Sequence, residues 1–448
     1  MTSKILTRII QCRGATLVPK KSFQRSNILR KMSAPIAKNG ENFPSVSELK
    51  LNIAKKMLGP NMSYSPIQKD KSHLLKYLPK SQDEMPPRSM EDSFLVGIIP
   101  LSKDKALQDK YVTFLGHVRI GRLLEDMDIF AVMVCYKHIV NPKLPENETF
   151  PYNLVTVLVD RIDFTEYVPK SNEDIKISGH VSWVGKSSME VVVWLEQKQS
   201  GVWQRVTRAL FLLAARDVNN VGAGIVNSII PANEREKQIL AGGETRKKRR
   251  QELQKKNLAK VIPDAEEQKT VHDLFVRTVE SSDVSLRNRV LPADCIWMSD
   301  ATISNVIFSQ PEDRNLHNTV FGGFMMRQAL ELSWVLGLKF SKLRPVLKSI
   351  SDIQFNKPVK VNSLIQMHGH VVYTNLNYFQ ITTFTETFNP ITGKIDTSNS
   401  FHFTYYVPEL VKEVIPMTYQ EAMMYIDGRR HFNEVMHKTG TFKFPSKM

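Results

Sequence analysis

Cysteine is scarce in this chain. Cys12, Cys135 and Cys295 form no CxxC and no metal-ligand spacing, and their number is odd. A disulfide framework is thereby disfavoured, and a reducing compartment is expected. Long apolar runs are also missing. The longest candidates, such as Ala209–Ala215, are strand-sized, far short of the ~20 residues that span a bilayer. Residues 1–40 contain no Asp or Glu. No GxSxG elbow, P-loop, GxGxxG fingerprint or HExxH occurs anywhere, which disfavours a motif-bearing Ser-His-Asp hydrolase.

What is present is globular: 42% hydrophobic and 24% charged over 448 residues, enough for two domains. The net charge of +16 is unevenly spread. Lys4, Arg8, Arg13, Lys20, Lys21, Arg25, Arg30, Lys31 and Lys38 crowd into residues 1–40, with Ile5, Leu6, Ile9 and Ile10 forming an apolar face at the start. Basic, acid-poor and amphipathic is the pattern of a mitochondrial transit peptide, and no continuous apolar h-region argues for secretion.

Residues 41–90 are a lead-in with one helix near Val46–Met57. Beyond them one order of elements occurs twice. Copy one, residues 91–217, has a strand at Tyr111–Leu115, a helix at Arg122–Tyr136, and β-rich runs at Leu154–Phe164, Ile175–Val184, Glu190–Gln197 and Trp203–Arg216. Copy two, residues 291–410, has a strand at Trp297–Phe308, an apolar helix, then Ile350–Phe355, Leu364–Tyr373, Tyr378–Phe388 and Asn399–Val407. Gly179-His180-Val181-Ser182-Trp183 aligns with Gly369-His370-Val371-Val372-Tyr373 at an offset of 190, the mark of an internal duplication. Residues 218–290 read as a charged helical linker whose run Arg246–Arg250 is solvated. No aromatic residue interleaves that run to stack a base, so no nucleic acid is expected. Residues 411–448 read as a C-terminal helix, Tyr419–Phe432, and a tail.

The candidate site gathers at the two helix openings. Gly322-Gly323 starts an apolar helix in Asn318–Leu338. A helix N-terminus carries unpaired N–H groups and partial positive charge, so it can polarise a carbonyl. Aligning Gly121 with Gly323 sets Asp128 opposite Leu330. Asp128 shares its side of the first helix with Leu124, Ala131 and Cys135, so its carboxyl is expected to be desolvated and usable as an acid or base; a solvent-facing Asp128 beside Glu125 is the alternative. Asn318, five residues before Gly323, caps the helix or orients a carbonyl or water; the first copy has Gly116 there, followed by His117. His117 and Glu331 are secondary candidates, and Arg327 at i−4 accounts for Glu331 as an ion pair.

These residues resemble the hotdog-fold acyl-coenzyme A thioesterases, and most closely the mitochondrial acyl-coenzyme A thioesterase 9 family. The resemblance is carried by Arg314-Asn315-Leu316-His317-Asn318-Thr319-Val320-Phe321-Gly322-Gly323-Phe324-Met325-Met326-Arg327 and Gly121-Arg122-Leu123-Leu124-Glu125-Asp126-Met127-Asp128. It implies an α+β tandem (double) hotdog, each unit an antiparallel sheet wrapped around a long central helix. It implies hydrolysis of acyl-CoA to fatty acid and CoA in the mitochondrial matrix, with no membrane span. One composite site is implied, pairing Asp128 of copy one with Asn318 and the oxyanion-binding Gly322 and Gly323 of copy two. No metal or cofactor is implied at that site, since coenzyme A belongs to the substrate, and homo-oligomers such as trimers of the tandem chain are. Two readings stay open beside it: a hotdog hydratase or dehydratase, for which Asp313 and His317 stand at a different spacing, and a non-catalytic acyl-CoA- or RNA-associated hotdog protein.

Overall fold

Twelve of the described strands pair into one antiparallel sheet shared by both copies. The computed structural model describes residues 43–58, 70–164, 168–255, 257–280, 286–315, 319–351, 353–355, 357–389 and 392–439. The transit-peptide reading of residues 1–40, and the residues His317 and Asn318, lie outside them. In chain order the elements are α1 (Val46–Leu58), β1 (Leu95–Ile99), α2 (Ile120–His138), β2 (Tyr152–Val159), β3 (Ile162–Phe164), β4 (Ile175–Val184), β5 (Ser188–Gln199) and β6 (Val202–Asp217). Then come α3 (Glu234–Lys255), α4 (Ala265–Val276), β7 (Cys295–Trp297), β8 (Thr302–Phe308), α5 (Gly322–Ser341), β9 (Val346–Ile350) and β10 (Ile353–Phe355). The chain closes with β11 (Leu364–Asn375), β12 (Tyr378–Phe388), β13 (Ile395–Tyr406), β14 (Glu413–Ile415) and α6 (Tyr419–Thr439).

The sheet runs β1-β4-β5-β6-β2 through copy one and continues as β10-β13-β12-β11-β8 through copy two. At the seam Val159 and Leu158 pair with Ile353 and Gln354, while Ile162 and Asp163 pair with Ile350 and Ser349. Each first strand thus meets the other copy's second strand, as a local two-fold axis requires. The fold is a tandem hotdog, with α2 and α5 as the two central helices, packed on each other and on the sheet. Their inward residues, Met127, Phe130, Ala131 and Val134 on α2 and Met325, Met326, Ala329 and Leu336 on α5, are buried. A fully buried side chain of this size stabilises by roughly 1.5–3 kcal/mol, so the helix pair is a large part of the core.

The offset of 190 holds in detail. β4 bulges between Val181 and Trp183, and β11 bulges between Val371 and Tyr373. Before the helices, His117 bridges Lys170 just as Thr319 bridges Lys360. That register makes His117 the counterpart of Thr319 and Gly116 the counterpart of Asn318.

Three expectations are corrected. Tyr111–Leu115 is not a strand. Asp104 accepts from Leu107 N (2.9 Å) and caps a short helix, Lys105–Tyr111, and a turn with Gly116 at φ +78° follows; β1 supplies the edge strand instead. Trp297–Phe308 is broken by a 3-10 turn at Met298–Asp300, so β7 pairs in parallel with β14 while β8 joins the main sheet. The charged helix α3 is not a solvated connector. Arg246 and Arg250 reach the buried Glu190 on β5, with Arg246 Nε 3.0 Å from Oε2, Arg249 pairs with Glu434, and Lys247 lies over the Trp183 ring. Most of the basic run is therefore occupied by protein. Among the described residues no helix is long and apolar enough to cross a membrane.

Candidate active site

The α2–α5 crossing is closest where the sequence has glycine. A Cβ on Gly323 would lie 2.8 Å from Glu125 Cα, and one on Gly121 would lie 3.4 Å from Arg327 Cα. The two contacts are symmetry mates, since each glycine faces the residue four places after the other. Close approach is what a missing side chain permits. It brings the start of α5 onto the middle of α2, at Asp128.

Asp128 is 1% exposed, so the solvent-facing alternative is excluded. Its Oδ2 accepts from Gly323 N (2.7 Å), and its Oδ1 accepts from Thr156 Oγ1 (2.6 Å) on β2. Burial pushes its pKa up to about 6; the hydrogen bonds from Thr156 and Gly323 oppose that rise, and the Glu125 charge adds to it. An acid from copy one therefore sits on the helix N-terminus of copy two, poised near neutral pH. Phe355 of β10 walls the other side, within 3.3 Å of where a Gly322 Cβ would stand.

The expected sharing of work between the glycines changes. Gly323 N–H is engaged by the carboxylate and is not open to a substrate oxygen in this state. Gly322 N–H, one residue earlier, has no partner among the described residues.

The two secondary candidates lie elsewhere. Glu331 pairs with Arg119 of copy one (2.6 Å) more closely than with Arg327 (3.9 Å). Arg327 Nε in turn lies 3.1 Å from Glu125, which Arg122 also holds (2.7 Å). Glu331 thus belongs to an interhelical ion-pair network. Glu331→Gln is expected to keep at least half of wild-type turnover; complete loss in a steady-state assay would put the reactive acid there instead. His117 sits on the loop before α2, where it bridges Lys170, and the same loop sets Phe114 against Trp334, roughly 16 Å along α5 from Gly323. Burial lowers its pKa, with a smaller contribution from Arg344. The mate of the Asp128 position, Leu330, supplies no acid at that end.

No protein-family model matches the chain. Curated relatives do. Over 359 residues the chain is 40% identical to Homo sapiens acyl-coenzyme A thioesterase 9, mitochondrial, covering 80% of this chain and 81% of that protein. Over 360 residues it is 39% identical to Mus musculus acyl-coenzyme A thioesterase 10, mitochondrial, covering 80% and 81%. The chain belongs to the acyl-coenzyme A thioesterase 9 family. Among solved structures, an acyl-CoA hydrolase from Staphylococcus aureus in complex with butyryl coenzyme A matches at 20% identity and a TM-score of 0.31, covering 32% of this chain and 92% of that one.

In this thioesterase family member, sequence reasoning missed Thr156. A lone hydroxyl in the apolar run Leu154-Val155-Thr156-Val157-Leu158 was the available signal: on the core-facing side of a strand it needs a partner. Thr156→Val keeps the shape and removes one hydrogen bond to the charged carboxylate. The apparent pKa governing turnover should then rise by about one unit. A pH–rate profile checks this, and an unshifted acid limb would limit Thr156 to packing.

Proposed function

We propose that the chain hydrolyses acyl-CoA thioesters to free fatty acid and CoA at the single composite site of Asp128, Thr156 and the α5 N-terminus. The observation that carries this is a buried carboxylate with a pKa near 6, hydrogen-bonded to a helix N-terminus from the other hotdog copy. The thioester carbonyl lies against that N-terminus. Gly322 N–H and the helix dipole stabilise the charge that develops on its oxygen. Asp128, held as carboxylate by Thr156 and Gly323, takes a proton from the attacking water. Attack by the carboxylate itself, giving an anhydride that water opens, uses the same geometry. Asn318 assists in holding the water or carbonyl. The reaction needs no metal and no cofactor beyond the coenzyme A of the substrate.

Four relatives at 39–40% identity are named mitochondrial, and the basic, acid-free residues 1–40 fit import into the matrix. Deleting residues 1–40 should leave turnover unchanged and abolish import into isolated mitochondria; retained import would remove the targeting role. Assembly into homo-oligomers, trimers of the tandem chain among them, is part of this reading. The central test is free-thiol release from a panel of short- to long-chain acyl-CoAs by residues 41–448. Release supports the reaction and gives the chain-length preference. No release by folded protein would favour a binding role.

A further inference from the structure

The duplication extends past the sheet to the helices on its outer face. A Cβ on Gly243 of α3 would run into Trp183 of β4, and one on Gly428 of α6 would run into Val372 of β11 and stand 3.4 Å from Tyr373 Cβ. Trp183 and Tyr373 are related by the offset of 190, so α3 and α6 are mates, each packed on its own copy. In copy one, three residues after the glycine, Arg246 ties the helix to Glu190 of β5. In copy two the mate of Glu190 is Gln380 and the mate of Arg246 is His431. The ion-pair clip is gone.

We propose that a divalent transition-metal ion of the zinc class replaces it, bound by His402 of β13 and by Asp427 and His431 of α6. Asp427 and His431 stand at i and i+4 on one face of α6, and His402 lies beneath them on the sheet. Asp427 Oδ2 is 3.8 Å from His402 Nδ1 and 3.8 Å from His431 Nε2. Both distances are too long for a hydrogen bond, and they are equal. The three donor atoms all lie within 4.8 Å of one another. Zinc holds such ligands at about 2.0–2.2 Å, so a small inward movement closes the site. Two imidazoles and a carboxylate form a three-ligand donor set that leaves a fourth position open.

The surroundings suit a cation. A neutral imidazole offers one ring nitrogen lone pair to a metal ion. The two rings are stacked with centroids 3.8 Å apart. Thr382 Oγ1, 3.1 Å from His402 Nδ1, shares that nitrogen without the ion and must give up the contact when an ion binds there. Arg430, the neighbouring cation on α6, is held by Glu267 at 2.6 Å. The side chains of Asp427 and His431 are 44% and 23% exposed, which gives an ion a way in. In copy one the sheet and helix mates of His402, Thr382 and Asp427 are Leu210, Val192 and Gly242, which could hold no ion. The donors are particular to copy two.

The test uses the full chain, stripped with a chelator and dialysed against Zn²⁺, beside Asp427→Asn and His431→Gln. The wild type should retain one Zn²⁺ per chain, and each variant should lose that equivalent while keeping a wild-type circular dichroism spectrum. Zn²⁺ should raise the wild-type melting temperature and leave those of the variants unmoved. Co²⁺ in its place should give visible d–d bands that both variants abolish. Equal zinc uptake by all three proteins, or none by any, overturns the proposal. Other histidines and the buried Cys135 and Cys295 are common to the three proteins and cancel. The readout is metal content and melting, so it stands apart from thioester cleavage at Asp128.

Discussion

Asp128→Asn is expected to lose acyl-CoA hydrolysis by about 10³-fold or more and, at pH 8, to melt higher than the wild type. The two effects share one cause. Burial raises the Asp128 pKa from 3.8 to about 6, so the folded chain binds that proton more tightly than the unfolded chain does. The stability supplied by the proton is complete below about pH 3.8 and is lost as the pH rises through 6. Above pH 6 the fold carries a buried charge. A shift of about two units corresponds to about 3 kcal/mol, so the stability difference between variant and wild type should swing by about that amount between pH 4 and pH 8, in the variant's favour. The amide fits the site: its oxygen accepts from Gly323 N–H, and its nitrogen donates to Thr156. Wild-type turnover should have an acid limb with an apparent pKa near 6, because the carboxylate is the working form and activity falls as it is protonated. Chemical denaturation at the two pH values and a pH–rate profile check all three statements. Unchanged turnover in Asp128→Asn would remove this residue from the chemistry.

How much of this could be read in the sequence follows the range of each interaction. β4, β12 and both central helices were legible because apolar alternation and helical spacing are local signals. The break of the second strand run at Asp160-Arg161 and the helix before Tyr111 were not, since a turn and a cap override propensity over a few residues. The neighbourhood of Asp128 was half legible. Its place among Leu124, Ala131 and Cys135 predicted burial, which the fold gives. Thr156 lies 28 residues further along and reaches the carboxyl only because β2 passes over α2. The role of α3 was misread for the same reason: Glu190, which absorbs Arg246 and Arg250, is far away in the sequence and close only in the fold. Glu331 shows the reverse. An i−4 arginine predicted its ion pair, yet the nearer partner is Arg119 from the other copy.

Gly323→Ala should lower both stability and turnover, while its mate Gly121→Ala should do neither to the same degree. Inside a helix, Gly to Ala ordinarily stabilises by about 1 kcal/mol. At Gly323 the new methyl would lie 2.8 Å from the Glu125 backbone and 2.5 Å from the Phe321 ring. A main-chain atom in the middle of a buried helix cannot step aside, so α5 must move off α2. Overpacking of this kind costs about 1–3 kcal/mol. It also pulls Gly323 N–H away from Asp128, and loss of one such donor lowers turnover by about 10²-fold. At Gly121 the closest atom is the Arg327 Cγ at 2.9 Å, on a mostly buried side chain paired with Glu125 that must shift slightly, and the backbone lies further off at 3.4 Å. The acid at that helix opening is Glu331, whose Oε1 would lie 3.4 Å from the new methyl and which Arg119 already holds as an ion pair. Gly121→Ala should therefore keep its rate within a few-fold of wild type while losing less stability than Gly323→Ala. The pair separates two explanations of the glycines. If both variants lose activity equally, the glycines serve the crossing alone, and the chemical asymmetry assigned to Asp128 and Leu330 is wrong. If only Gly323→Ala loses it, one symmetric crossing carries one reactive end.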